Sequence, residues 1–471
     1  MAEKLDVIIV GAGSAGLSAL REVRKRTDRF VLINHGPLGT TCARTGCMPS
    51  KALIEAANAW HRRHSFERFG IGNSDALRLD IPAVLRRVRE LRDFFTSSTL
   101  KATDELGERF IAGKARLLGP HLLEVNGQRL EAHRIILAPG SSPYIPDDWQ
   151  IPAEAVLTSD TLFELPDLPR RLAVVGLGAI GLELAQAIAR LGVEVIAFGR
   201  SARLGGLSDP ELNETFRGLL SRELTLVSNP VTGVRQAGQG VEIECDNKTW
   251  QADAILAATG RRPNITDLGL ENLGITLDEK GLPPLNPHTL QIADLPIFLA
   301  GDANGERNLL HEATDEGHIA GINAMAEEIQ PFKRRVPLSI VFTDPNIAVI
   351  GQGWSRLDPG TTLRGSVDYS RQGRARTAEK NYGRATLYAD RQSGQLLGAG
   401  MCAPAAEHMA HLLALAIERR LTVHDLLRLP FYHPVLEEGL RTALRQIAGQ
   451  LEYQPESDLA ACDPLDLPAL E

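Results

Sequence analysis

The chain is poor in cysteine, with five in 471 residues, far fewer than a disulfide-stapled scaffold carries. It has no excess of positive charge. Against 51 basic side chains stand 59 acidic ones, a formal net charge of −8, and broad nucleic-acid binding would need a basic face. No apolar run approaches the ~18 residues of a membrane span. The longest candidate starts at Leu172 and meets Glu183 first. There is no short-period repeat and no low-complexity linker. The composition, 43% apolar and 23% charged, is that of an ordinary globular protein and excludes a disordered chain. A secretory signal is not expected either, because the first apolar stretch, Val7 to Val10, is short and follows Asp6. A cytoplasmic location is therefore expected. There, cysteines stay reduced unless a pair does redox work.

At ~150 residues per domain the length allows about three domains. Two segments echo each other: VIIVGAGSAGLSALREVRKR from Val7 and LAVVGLGAIGLELAQAIARLG from Leu172. Each reads as a buried strand, a glycine turn and a helix, followed by a second strand at Phe30 to Asn34 or Val193 to Phe198. Both turns are G-x-G-x-x-G, with Gly11, Gly13 and Gly16 in one and Gly176, Gly178 and Gly181 in the other. The first glycine allows the tight turn. The second lets a pyrophosphate approach the backbone, and the third lets helix and strand pack closely. The diphosphate then meets free amides at the positive helix end. Alone this pattern is weak, but in a β-α-β context, twice, it predicts two dinucleotide sites. The acid that usually holds a ribose at the end of the second strand is missing. Asn34 takes that place in the first unit, and Ala197 is read into it in the second. Arg200 and Arg203 follow closely, either to meet a 2′-phosphate or simply as loop arginines.

Other segments fill in around these. Leu79 to Leu106 has the spacing of an amphipathic helix. IILAPG, ending at Gly140, AILAATG, ending at Gly260, and IFLAGD, ending at Asp302, read as strands. From about Val336 the pattern predicts a third compact unit, sheet first and then a helix over Glu407 to Arg420. Residues 452–471 hold six acidic and no basic side chains, which predicts a loosely ordered tail.

The segment Thr40 to Lys51, TTCARTGCMPSK, holds Cys42 and Cys47 as C-x4-C. Pro49 suits a helix's first turn, so Cys47 should lie near a helix N-terminus, which favours the reactive thiolate. A zinc site would need two more ligands, and Cys245, Cys402 and Cys462 are scattered, so no metal is expected. A redox-active disulfide is the favoured reading over buried free thiols or a structural bridge. Near the other end, His433-Pro434 is followed by Glu437 and Glu438. His433 is the candidate acid–base, and a carboxylate five residues on could orient its ring.

Together these segments resemble the class I flavin-dependent pyridine nucleotide–disulfide oxidoreductases over nearly the whole chain. GAGSAG, GTTCARTGCMPSK, GLGAIGLELA, AATGRRPN, FLAGDAN and HPVLEEG occur in the family's order. The likeness runs most to the dihydrolipoamide dehydrogenases. It implies an α/β fold with two Rossmann-like dinucleotide domains and a C-terminal α+β interface domain, acting as a homodimer. The expected divisions are 1–148 for the first flavin-binding part, 149–268 for the NAD(P) domain, 269–335 for the central region, 336–451 for the interface domain, and the tail. The implied cofactors are FAD and NAD, with NADP as the other possibility. The implied substrate is a small dithiol or a lipoyl-carrying protein.

By the same resemblance, Cys42 is the thiol that exchanges with substrate and Cys47 the flavin-side thiol. His433, oriented by Glu438, is the base for the partner subunit's site. Lys51 lies near the flavin with Glu183 as its ion-pair partner, and Asp302 bonds the ribityl chain. The cofactor-binding set is Gly11, Gly13, Ser14, Ala15, Gly16, Asn34, Thr41, Lys51, Gly140, Gly176, Gly178, Ile180, Gly181, Arg200, Gly260 and Asp302. The implied activity is oxidation of dihydrolipoamide with NAD. The alternative is an NADPH-dependent disulfide or quinone reductase, which Arg200 and Arg203 would serve. A mercuric reductase would carry a C-terminal vicinal cysteine pair, and here Cys462 stands alone. A non-catalytic flavoprotein subunit would not need Cys42, Cys47, His433 and Glu438 together. Arg371, Arg374 and Arg376, at the start of the interface region, either attract an acidic partner or solvate a loop.

Overall fold

The computed structural model describes residues 4–453. The expected tail, including Cys462, lies outside them apart from its first two residues.

The apolar run Leu5–Val10 is fully flanked by other strands, as a run without alternation requires. It pairs in parallel with Phe30–Asn34 on one side and Gln128–Leu137 on the other. Phe110–Ala112 extends the sheet beyond Phe30–Asn34, and Ile297–Leu299 joins on Gln128–Leu137, both in parallel. Two short antiparallel strands, Ala115–Gly119 and Leu122–Val125, complete it. The helix Ser14–Val23 lies against Leu310–Ala324, which returns from far along the chain. That contact is close because Gly317 faces the backbone of Ala15. A Cβ at Gly317 would stand 2.1 Å from the Ala15 carbonyl oxygen.

The second β-α-β unit builds its own parallel sheet, in the order Thr225–Val227, Glu194–Phe198, Arg171–Val175, Ala254–Ala257, Val156–Leu157. A three-stranded antiparallel sheet from Val231 to Ala252 packs beside it. The chain leaves the first sheet through Ser141–Pro143 and comes back through Arg261–Pro263, and these two strands pair antiparallel. From Leu338 the pattern changes to a five-stranded antiparallel sheet covered by the helices Ala406–Glu418 and Glu438–Ala448.

Two further helices reach the site. Cys47–His61 follows the short helix Thr41–Arg44, and Ile81–Asp104 packs along it. The latter starts two residues inside the sequence expectation, where the Asp80 carboxylate accepts from the Ala83 amide as an N-cap. No described helix is long and apolar enough to cross a membrane, and no three described metal-ligating side chains cluster.

Candidate active site

Thr40 caps the short helix Thr41–Arg44, its hydroxyl accepting from the Ala43 amide at 3.2 Å. This fixes Cys42 in that helix, one tight turn before Cys47. The turn passes through Gly46, where a Cβ would press on the Thr41 carbonyl at 3.0 Å. Cys47 is then the first residue of Cys47–His61, with Pro49 in the first turn as the sequence predicts. Both thiols are reduced here, not bridged, and half-buried. The Cys42 thiol donates to Cys47. That hydrogen bond, with burial, raises Cys42 well above the ordinary thiol range. The same bond lowers Cys47 to about 7, with the Lys51 charge helping and burial and Glu183 opposing. The pair therefore shares one proton, held on Cys42, and leaves the thiolate on Cys47.

Lys51 stands one helical turn after Cys47. Its ammonium donates to Glu183 Oε2 at 2.8 Å and lies 4.6 Å from the centroid of the Phe342 ring. The other Glu183 oxygen accepts from the Phe342 amide at 2.9 Å. Glu183 is buried on the helix Ala179–Arg190. One carboxylate thus joins the cysteine helix, the second glycine-turn helix and the C-terminal unit.

His433 is the most exposed member of the set, its side chain 79% accessible. Its Nδ1 meets both oxygens of Glu438, at 3.0 and 3.2 Å, and Glu438 also accepts from the Val435 amide. The His433 hydrogen bond holds the Glu438 carboxyl below its ordinary range. Within one chain His433 bonds to neither cysteine, so Nε2 is free to face another molecule.

Both glycine turns have the cradle that a dinucleotide needs. Gly11 and Gly176 have φ of +107° and +114°, and a Cβ on either would lie 2.1 Å from a carbonyl oxygen of the neighbouring strand end, Ala138 or Ala258. At Gly13 and Gly178 a Cβ would meet nothing within 4 Å, which leaves open space at the helix ends where amides lack acceptors. Ser14 and Ala15 open the first helix. Ile180, 38% exposed, stands at the second turn where Ala15, 6% exposed, stands at the first. Gly140 and Gly260 have positive φ and open space beside them. Thr41 is exposed at the start of its helix. Asp302 accepts from the Ser141 hydroxyl at 2.8 Å. These residues fit a diphosphate-bearing dinucleotide at each turn.

The register corrects one sequence reading. Val10 pairs with Ile33, and Val175 with Phe198. The residue matching Asn34 is therefore Gly199. Ala197 lies inside the strand and is fully buried; the strand end at Phe198 is as the sequence predicts, but the pairing register that puts Gly199 in the place of Asn34 is not visible in the sequence. At Gly199 a Cβ would stand 2.5 Å from Leu177 Cδ1, so no acid fits there without moving Leu177. Arg200 and Arg203 are exposed just beyond. In the first unit Asn34 Oδ1 accepts from the Ala12 amide at 3.0 Å, and its amide donates to the Gly36 carbonyl at 3.2 Å. Asn34 thus braces the glycine turn.

The sequence model of the pyridine nucleotide-disulphide oxidoreductases matches residues 5–317, and that of the family's dimerisation domain matches 337–444. The chain belongs to this family. As an oxidoreductase of the family, it is a flavin-dependent protein that uses a pyridine nucleotide. It is 30% identical to a mercuric reductase of Bacillus cereus, over 93% of this chain and 71% of that one. It is 29% identical to dihydrolipoyl dehydrogenase 3 of Pseudomonas aeruginosa, over 96% of this chain and 99% of that one. Among solved structures, LpdA from Mycobacterium tuberculosis superposes with a TM-score of 0.82 at 25% identity, covering 94% of this chain and all of that one. The HOCl-induced flavoprotein disulfide reductase RclA from Escherichia coli shares the fold, with a TM-score of 0.83 at 22% identity, covering 94% of this chain and 99% of that one.

Three residues at the site escape a sequence reading. Phe342 braces the Lys51–Glu183 pair. Ser141, bonded to Asp302, also accepts from Arg261 Nε at 2.8 Å and so ties the two linking strands to the 301–304 turn. Glu316, 1% exposed, accepts from the Gly301 amide at 2.6 Å, from Asn304 at 2.7 Å and from Arg334 at 2.8 Å, and so fixes the turn that carries Asp302. No local pattern marks them: the partners of Phe342 and Ser141 are more than a hundred residues away, and those of Glu316 lie in the turn before its helix and beyond the helix's end.

Proposed function

We propose that this oxidoreductase is a dithiol–disulfide enzyme of the dihydrolipoyl dehydrogenase kind, working as a homodimer. The observation that carries the reading is the cysteine pair itself, Cys42 in one short helix and Cys47 opening the next, with the Lys51–Glu183 pair one turn away. Cys42 exchanges with substrate, and Cys47 faces the flavin. His433 of one copy, its ring oriented by Glu438, takes the proton of the attacking substrate thiol at the cysteines of the other copy. In the oxidised form of the pair the substrate thiolate attacks the Cys42–Cys47 disulfide, forming a mixed disulfide on Cys42 and releasing Cys47 as the thiolate; the second substrate thiol then displaces Cys42 and leaves as the oxidised product. Gly13 and the first turn of Ser14–Val23 hold the FAD diphosphate, with Asp302 toward its ribityl chain. Gly178, Ile180 and Arg200 receive the nicotinamide nucleotide. The bound flavin supplies two-electron transfer between the dithiol and the nicotinamide. NAD is the expected acceptor.

Gly199, with Arg200 and Arg203 behind it, favours a second reading: an NADPH-dependent reductase of disulfides or quinones, since no carboxylate stands to repel a 2′-phosphate. One anaerobic experiment separates the two. The yellow protein is mixed with dihydrolipoamide, and NAD or NADP is added in parallel. A long-wavelength band followed by NADH formation supports the first reading. A band raised only by NADPH, with no response to dihydrolipoamide, supports the second. Cys42→Ser should abolish dithiol turnover in either case.

A further inference from the structure

The loop that carries His433 is fastened to the segment that carries the three arginines. The Gln372 side-chain amide donates to the Val435 carbonyl at 2.6 Å, while its oxygen caps the helix Gly373–Thr377 by accepting from the Ala375 amide at 2.7 Å. The Tyr369 hydroxyl donates to the Leu436 carbonyl at 3.3 Å. Both bonds land within three residues of the base. Wherever His433 is delivered, this segment goes with it.

Arg371, Arg374 and Arg376 are exposed, and none makes an ion pair among the described residues. Among the described residues the Arg374 guanidinium donates to the Thr377 hydroxyl, at 3.3 Å, and to no acid. The nearby acids are committed or fewer: Glu379 is paired with Arg68 at 2.7 Å, and Glu438 with His433. Two nearby acids make no ion pair among the described residues: Glu437, half-buried beside Tyr369, and Asp368, exposed three residues before Arg371, whose carboxylate accepts from the Ser370 amide at 2.8 Å. Three exposed arginines against one exposed and one half-buried unpaired acid leave the segment that is fastened to the His433 loop net positive. Their summed field falls on whatever approaches His433 Nε2.

We infer that the arginine segment makes this site selective for an anionic substrate, a dithiol or disulfide bearing a carboxylate, over its neutral counterpart. This rests on the proposed dithiol–disulfide activity and on His433 serving the second copy. The balanced reaction is dithiol plus oxidised nicotinamide nucleotide giving disulfide, reduced nucleotide and one proton. The arginines enter only through substrate binding.

Dihydrolipoate and dihydrolipoamide form a matched pair, differing in a carboxylate against an amide, and the carboxylate is ionised at neutral pH. The flavin-loaded dimer is assayed with each. The expected ratio of kcat/KM is at least about fivefold in favour of dihydrolipoate near 20 mM salt, and it falls toward one near 500 mM, as screened exposed charges require. In the triple variant Arg371→Gln, Arg374→Gln, Arg376→Gln the low-salt ratio falls toward one. A wild-type ratio at or below one, or one that salt does not change, overturns the inference even if the variant fails to fold. Oxidation of neither dithiol by flavin-loaded protein instead overturns the dithiol reading and this inference with it.

Discussion

The two glycine turns have nearly the same backbone. Gly13 has φ −82° and ψ −171°, Gly178 has φ −78° and ψ −171°, and a Cβ on Gly16 or on Gly181 would lie 1.8 Å from the carbonyl oxygen of the turn's first glycine. Their surroundings differ. The first is roofed: Gly301 approaches Ala15, Gly317 approaches its carbonyl, and the buried Glu316 locks that roof in place. The second is open, with Gly178, Ala179 and Ile180 all exposed. The same local device therefore suits two tenancies. On the proposed reading, the roofed turn would retain its dinucleotide through many cycles, and the open one would let its nucleotide leave at each cycle. Sequence repeats report the cradle, whereas the distant segments that close over it decide how long a ligand stays.

The sharpest way to break this comparison is to damage each turn in the same manner. Gly16→Ala should cost on the order of 3 kcal/mol or more, since backbone must move, and the purified protein should be colourless. Gly181→Ala should keep its bound flavin while losing reduction of the nicotinamide nucleotide. Absorbance per chain and thermal unfolding read both outcomes. If Gly181→Ala strips the flavin as fully as Gly16→Ala, the turns are not independent. Gly13→Val and Gly178→Val sharpen the point. Both side chains enter open space, so stability should stay within about 0.5 kcal/mol while each variant loses its own dinucleotide.

A smaller effect tests the one link between the second turn and the cysteines. Glu183 comes from the helix of the open turn, and it holds Lys51 beside Cys47. Cys47 loses its proton as pH rises through about 7, so below that value the thiolate fraction falls about tenfold per pH unit. Lys51→Met removes an attraction for the thiolate and leaves the Glu183 charge unpaired, and both changes raise the Cys47 midpoint, by roughly one unit. The acid limb of the pH–rate profile should move up with it. Thiolate absorbance of the reduced protein against pH measures the midpoint directly. An unchanged midpoint would show that the Cys42 hydrogen bond alone sets it.

The glycine turns, the cysteine pair and the His433–Glu438 couple were legible because each lies within a dozen residues and has a local physical reason for its spacing. Phe342, Ser141 and Glu316 were not, because their roles exist only after segments more than a hundred residues apart, or a turn and a following helix, come together. The Ala197 reading failed for a related reason. The strand's end at Phe198 was legible, but only the pairing of Val175 with Phe198 shows that Gly199, not Ala197, takes the place of Asn34.

That correction leads to the smallest expected effect and the finest version of the comparison. At the first turn Asn34 spends its side chain bracing Ala12. At the second, Gly199 offers none, and Leu177 fills the space. On the proposed reading, selection between NAD and NADP at the open turn would fall to Arg200 and Arg203, two exposed charges that solvent screens, so the preference they give should be modest. Replacing both with Ala should lower kcat/KM for the 2′-phosphorylated nucleotide about fivefold relative to NAD, with the loss shrinking at high salt. Gly199→Asp should push the ratio the same way by a different route. Its Cβ meets the flexible end of Leu177 rather than backbone, so the side chain can yield, and the new carboxylate would then repel a 2′-phosphate. Parallel initial rates with the two nucleotides measure the ratio. If Gly199→Asp leaves it unchanged while the arginine variant shifts it, the ribose approaches from the arginine side and the strand end plays no part in the choice.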